Sequence, residues 1–156
     1  MIQSEETAEG HGLASNRDEA IRTSFSQQGF LLGLGARIAN LAQGRCAIAL
    51  PLSDAVTQQH GFFHGGVIGA LADTAGGYAA MTMAPPGADV LTLEYKINFL
   101  RPASGTALIA TGEVLRAGRS VIVTRVDVHV QRGDQRILCA AVQQSIMPTQ
   151  VPAGRP

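Results

Sequence analysis

HGFFHGGVIGALADTAGGYAA, residues 60–80, decides how this chain folds. From Val67 onward the run is apolar or glycine on nearly every side, which reads as a helix buried in the core. Two features oppose that reading. Asp73 stands in its middle, and an ionised carboxylate is costly to bury unless it is paired or hydrogen-bonded. Gly65, Gly66, Gly69, Gly76 and Gly77 crowd the same stretch, and each interior helical glycine costs ~1 kcal/mol relative to alanine.

The rest of the chain bounds the setting. At 156 residues, 46% of them hydrophobic, it is long enough for one domain with a real core and too apolar to be disordered. Aromatic residues are only 4% and tryptophan is absent, so the core must come from small and aliphatic side chains that let backbones approach. Twelve Lys+Arg balance twelve Asp+Glu with no basic run, which argues against nucleic acid as a partner. No stretch approaches the ~20 apolar residues of a membrane span, and the start lacks the basic-then-apolar order of a signal peptide. Cys46 and Cys139 are far apart and read as reduced, buried thiols. His11, His60 and His129 show no metal-binding spacing. The expected location is the cytoplasm.

Residues 1–16 are polar and acidic and are expected to form a disordered tail; 17–148 form the domain, and 149–156 a Pro-containing C-terminal tail. Ile21 and Phe25, continuing to Leu32, suggest an amphipathic helix broken by Gly29 and Gly33. Gly33 to Ile38, GLGARI, reads as a turn entering a strand. Gly44 to Leu52 is the first strand. The central helix runs from about His64 to Met83 and is stopped by Ala84-Pro85-Pro86-Gly87. Four strands follow, at 89–100, 106–117, 121–131 and 136–147. The first of these alternates, with Leu91, Leu93, Tyr95, Ile97 and Phe99 on one face and Thr92, Glu94, Lys96 and Asn98 on the other. One helix apolar all round beside five mostly alternating strands implies an α+β fold in which an antiparallel sheet wraps the helix.

The arrangement resembles the hotdog fold, a curved antiparallel sheet around a long central helix. Within it the chain resembles the phenylacetate-degradation (PaaI-type) acyl-CoA thioesterases. The resemblance rests on Gln58-x-x-Gly61-x-x-His64-Gly65-Gly66, on Asp73 nine residues after His64, and on Asn98 to Gly105, NFLRPASG. Gly118-Arg119-Ser120 is a weaker third element. It implies an acyl-CoA thioesterase that releases a carboxylic acid and CoA. Coenzyme A is then part of the substrate, and no separate cofactor is expected. It also implies a homodimer with two shared sites, and a further pairing of dimers into a tetramer.

The first turn of a helix offers unpaired N–H groups and a partial positive charge to a thioester carbonyl. Gly65 and Gly66 bare that turn, and the resemblance makes a backbone amide there the oxyanion donor, Gly66 first and Gly65 second; alternatively the pair only makes the bend. Asp73 lies ~10 Å further along the axis at 1.5 Å per residue, too far to act on a carbonyl held at the start of its own helix. Two antiparallel helices in a dimer would bring Asp73 of one subunit opposite the glycines of the other, with Asp73 as general base for water or as nucleophile. The competing reading is a carboxylate that caps backbone or pairs with a buried arginine.

Gln58 either hydrogen-bonds the thioester or the water, or serves its loop. His64 orients the loop or assists the leaving thiolate. Thr92 falls where the family often places a hydroxyl that positions water; otherwise it is plain strand surface. Gly77 departs from relatives that carry a hydroxyl there. Arg119, flanked by Gly118 and Ser120, and Arg101 are candidates for the phosphates of CoA. Phe62 and Phe63 are candidates for acyl contact. Two rivals remain: a hotdog hydratase or dehydratase, which His64 in a glycine turn suits poorly, and a non-catalytic acyl-CoA sensor, for which a buried carboxylate has no use.

Overall fold

A computed structural model describes residues 13–150. Helices α1 (Ser15–Phe25) and α2 (Gly29–Gly33) precede strands β1 (Arg37–Ala42) and β2 (Arg45–Pro51). Helix α3 (Gly65–Met81) follows, then β3 (Ala88–Phe99), β4 (Ala107–Ala117), β5 (Ile122–Arg132) and β6 (Gln135–Gln150). The strands form one antiparallel sheet in the order β1-β2-β4-β5-β6-β3. Helix α3 packs against β2, β3, β4, β5 and β6. This is the hotdog fold: the sheet curves around one apolar helix that has no polar face to give to water. Among the described residues no helix is long and apolar enough to cross a membrane.

The glycines allow the close fit. A Cβ on Gly112 of β4 would stand 2.6 Å from the Ala75 carbonyl oxygen, so helix and strand meet there backbone to backbone. Leu71, Ala72, Ala75 and Ala79 of α3 are fully buried against Ile48, Leu50, Leu108, Val126 and Val128 of the sheet. The far end of α3 is closed by Arg17, whose Nη1 donates to the Met81 carbonyl at 2.9 Å.

Three expectations need correction. There are six strands rather than five: Arg37–Ala42 forms a hairpin with β2 through Gln43-Gly44, with Gly44 at φ 73°. An irregularity between Ile38 and Asn40 breaks the alternation by which it would have been recognised. The first helix is two helices. The domain is also slightly longer than expected, beginning with Ser15 and running on through Pro148 to Gln150. Pairing of β6 with β5 ends at Ile122↔Ile146, so beyond that point β6 is bonded only to β3, and the donor Pro148 lacks is not needed there. The remaining tail assignments, 1–12 and 151–156, lie outside the described residues.

Strand β3 also departs from simple alternation. Its register with β6 shifts between Thr92 and Glu94, so Leu93 is the extra residue of a bulge. The shift flips the parity. Thr92 faces α3, and so do Tyr95 and Phe99 beyond the bulge, because Gly69 lies against the Tyr95 hydroxyl and Gly65 against the Phe99 ring. Thr92 thus shares a face with the aromatic residues that strict alternation would place opposite it.

Candidate active site

The two ends of the HGG-to-Asp73 segment have separate surroundings. His64 caps α3: its backbone is extended, and its Nδ1 accepts the Gly66 N–H at 2.8 Å. Accepting through Nδ1 places the proton of the neutral ring on Nε2. The Gly66 N–H is therefore occupied, whereas among the described residues the Gly65 N–H has no hydrogen-bond partner. Gly65 rather than Gly66 therefore presents the open donor at the helix start.

The preceding loop is held by its own backbone. Gln58 N–H donates to the Phe62 carbonyl at 2.9 Å, and Gly61 N–H to the Gln58 carbonyl at 3.0 Å. The Gln58 side-chain Oε1 accepts the His60 N–H, which leaves its Nε2 as the remaining donor.

Asp73, half-buried on α3, is held from the sheet. Its Oδ1 accepts two hydrogen bonds, from Thr92 Oγ1 at 2.8 Å and from Gln144 Nε2 at 2.8 Å. Gln144 Nε2 also reaches the Asp73 carbonyl at 3.2 Å, and Gln144 Oε1 accepts from Thr124 Oγ1 at 3.0 Å. Gln144 and Thr124 are fully buried. No cation pairs with Asp73 among the described residues, so neutral donors satisfy it in place of a salt bridge. A cleft of about 330 Å³ opens beside the carboxylate, lined among others by Ser24, Gln28, Gly77, Tyr78, Asp89 and Thr92. The Tyr78 hydroxyl accepts from Gln28 Nε2 at 2.9 Å and shares a hydrogen bond with Ser24 Oγ at 3.1 Å. Burial pushes the Tyr78 phenol up, against the opposing effect of those hydrogen bonds, and the nearby Asp89 adds to the rise. It is a neutral donor and acceptor at the cleft.

Residues 60–137 match the family model described as "Thioesterase superfamily". The chain belongs to the thioesterase superfamily. A thioesterase family protein from Silicibacter pomeroyi superposes with a TM-score of 0.84 at 36% identity, covering 86% of this chain and 99% of that one. A putative esterase from Halobacterium salinarum is 31% identical over 140 residues, 86% of each chain. A 1,4-dihydroxy-2-naphthoyl-CoA hydrolase from Listeria monocytogenes is 27% identical over 106 residues, 68% of this chain and 85% of that one. As a thioesterase, the protein is a hydrolase of thioester bonds.

The other candidates of this thioesterase scatter. Phe63 is 3% exposed and belongs to the core, so within one chain it offers a substrate no surface; Phe62 is half-buried. Arg101 is exposed just beyond β3 and donates to the Leu138 carbonyl at 2.8 Å. It adjoins the helix start, because the neighbouring Ala103 carbonyl accepts the Phe63 N–H at 3.1 Å. Gly118, Arg119 and Ser120 turn at the opposite end, where Ile122 clusters with Ala80 in the last turn of α3 and with Ala84 just beyond it. A Cβ on Gly118 would stand 2.5 Å from the Val121 carbonyl oxygen, so this tight turn requires glycine. Arg119 and Arg101 therefore do not meet within one chain.

Sequence reasoning missed Gln144, Thr124, Ser24 and Gln28. For Gln144 a signal was present: Ala140, Val142, Gln144 and Ile146 form the core-facing series of β6, and one polar side chain interrupts it.

Proposed function

We propose that the protein hydrolyses an acyl- or aryl-acyl-CoA at a site shared between two copies of the chain. The observation that carries this is the division of labour along α3: an open Gly65 N–H at its start, and a carboxylate held by two donors two turns further on. The helix start of one copy receives the thioester oxygen, and Asp73 of the other acts on the carbonyl carbon, directly as nucleophile or by taking a proton from water. Thr92, bonded to the same carboxylate, stands where it can position that water.

The free edge of β3 supports a second copy. This strand is one of the two edge strands of the sheet, and Leu91, Leu93, Tyr95 and Phe99 on it are 43–56% exposed. Such an edge is a template for pairing. With the two α3 helices antiparallel, the Arg119 end of one copy approaches the Arg101 end of the other, so both arginines can serve one CoA. The naphthoyl-CoA hydrolase among the relatives supports a CoA thioester as substrate, without naming the acyl group here.

A panel of short, medium and aryl acyl-CoAs, assayed by release of free thiol, tests the reading. Turnover of at least one, lost in Asp73→Asn with the fold retained, supports it. No turnover across the panel, or a wild-type rate in Asp73→Asn, overturns it.

A further inference from the structure

We infer that Gln144 is a positioning residue, whose amide fixes which oxygen of Asp73 does the chemistry. The inference rests on the thioesterase reading of this site.

The amide is wired in one orientation. Thr124 Oγ1 donates to its Oε1, and its Nε2 donates to both the Asp73 carboxylate and the Asp73 carbonyl. The reverse orientation would set the amide oxygen against a carboxylate oxygen and a carbonyl oxygen, two acceptors with no proton between them. Gln144 is 1% exposed, so water cannot substitute for a lost partner. The helix is shaped around it: the Gly76 Cα lies so close that a Cβ there would stand 1.6 Å from Oε1 and 2.8 Å from Thr124 Oγ1.

The consequence falls on the two oxygens of Asp73. Oδ1 is engaged by Gln144 and Thr92, whereas Oδ2 has no partner among the described residues. Oδ2 is thus the oxygen left to accept a proton from water or to attack the carbonyl, and Gln144 sets its direction through the shared carboxylate plane. Thr92 alone would leave the carboxylate free to rotate about that one bond. Gln144, rooted on the interior strand β6 and anchored by Thr124, supplies the second fixed point. A misplaced catalytic group costs up to about 100-fold in rate.

The test uses the full chain with Gln144→Met, which keeps the length of the side chain and removes the amide. Thr124→Val/Gln144→Met serves as a second variant that leaves no buried polar atom stranded. With a thioester that the wild type hydrolyses, kcat should fall about 10- to 100-fold with KM within about threefold, the signature of a group acting in the chemical step. In an Asp73→Asn background the same change should cause no further loss. A full multiplicative loss there, or an unchanged kcat in either folded variant, overturns the assignment. A crystal structure of the double variant decides independently of turnover. Asp73 is expected in a new rotamer or in several, and a carboxylate unmoved and ordered as before refutes the role even if no substrate is ever hydrolysed. Failure of the thioesterase reading would show as absent turnover in the wild type, and does not touch that structural outcome.

Discussion

Gly76 and Gln144 occupy one another's space: the helix has no side chain at 76 because the amide of 144 passes through the position where its Cβ would be. Glycine in a helix interior normally gains from replacement by alanine. Here the added methyl collides with a side chain that cannot retreat, because Thr124 and Asp73 hold it from both ends.

Gly76→Ala should therefore destabilise the fold by ~1–3 kcal/mol, the usual cost of overpacking, despite the better helix propensity of alanine. Urea unfolding followed by circular dichroism measures it. In a Gln144→Ala background only the 2.8 Å approach to Thr124 Oγ1 remains, so Gly76→Ala should cost less stability there than in the wild type, while hydrolysis stays impaired. An equal cost of Gly76→Ala in both backgrounds would refute the collision.

The shared site predicts complementation between two inactive variants. Gly65→Pro removes the open N–H while keeping a residue favoured at the first helical position. Asp73→Asn removes the carboxylate. Each homodimer should be inactive. Mixed after unfolding and refolding, the two should recover about a quarter of wild-type activity, since half the dimers are hybrids and each hybrid holds one intact site. Recovery of none would place both groups of a site on one chain. Leu93→Lys on the exposed edge strand should in parallel give a monomer by light scattering and abolish turnover.

The long helix was legible in the sequence because its signal is local: an apolar run bounded by His64-Gly65-Gly66 and Pro85-Pro86. The bulge at Leu93 was not, because Leu91, Leu93 and Tyr95 alternate in letters whether or not the backbone inserts an extra residue. That one insertion brings Thr92 to Asp73, so a weakly read threonine is one of the two side chains that hold the carboxylate. Gln144 lies 71 residues from Asp73 along the chain. Nothing local to either residue announces the pairing, although a lone amide in the buried face of β6 marks a position that needs a partner. The order of Gly65 and Gly66 was hidden for a similar reason, since it depends on where the His64 ring folds back.

Alkaline pH should destabilise the fold through its buried thiols. Burial pushes Cys46 up to about 12 from 9.0, with Arg22 opposing weakly, and Cys139 and Tyr78 shift the same way, also chiefly by burial. A group that holds its proton more tightly when folded contributes stability below its unfolded pKa, and that stability is lost as pH rises towards the folded one. For Cys46 the window is pH 9 to about 12, with a loss of up to ~1.4 kcal/mol per pH unit. Urea midpoints should fall between pH 8.5 and 10.5, and less steeply in Cys46→Ala when each variant is referred to its own value at pH 8.5. Parallel slopes would exclude Cys46 as the source.

Gly77 is the counterpart of Gly76. It faces the cleft beside Asp73, and a Cβ there meets nothing within 4 Å. Gly77→Ala should raise stability by ~0.5–1 kcal/mol, because it adds helix propensity without collision. The same methyl narrows the space next to the carboxylate. kcat/KM should therefore fall more for bulky aryl acyl-CoAs than for short-chain ones, while Asp73 and its two donors stay in place. Gly77→Ser adds a hydroxyl one helical turn from Asp73 and should compress the same substrate range. Stability is read by urea unfolding and specificity by thiol release across the acyl-CoA series. A uniform change in kcat/KM over the series would mean that the acyl group does not enter this cleft.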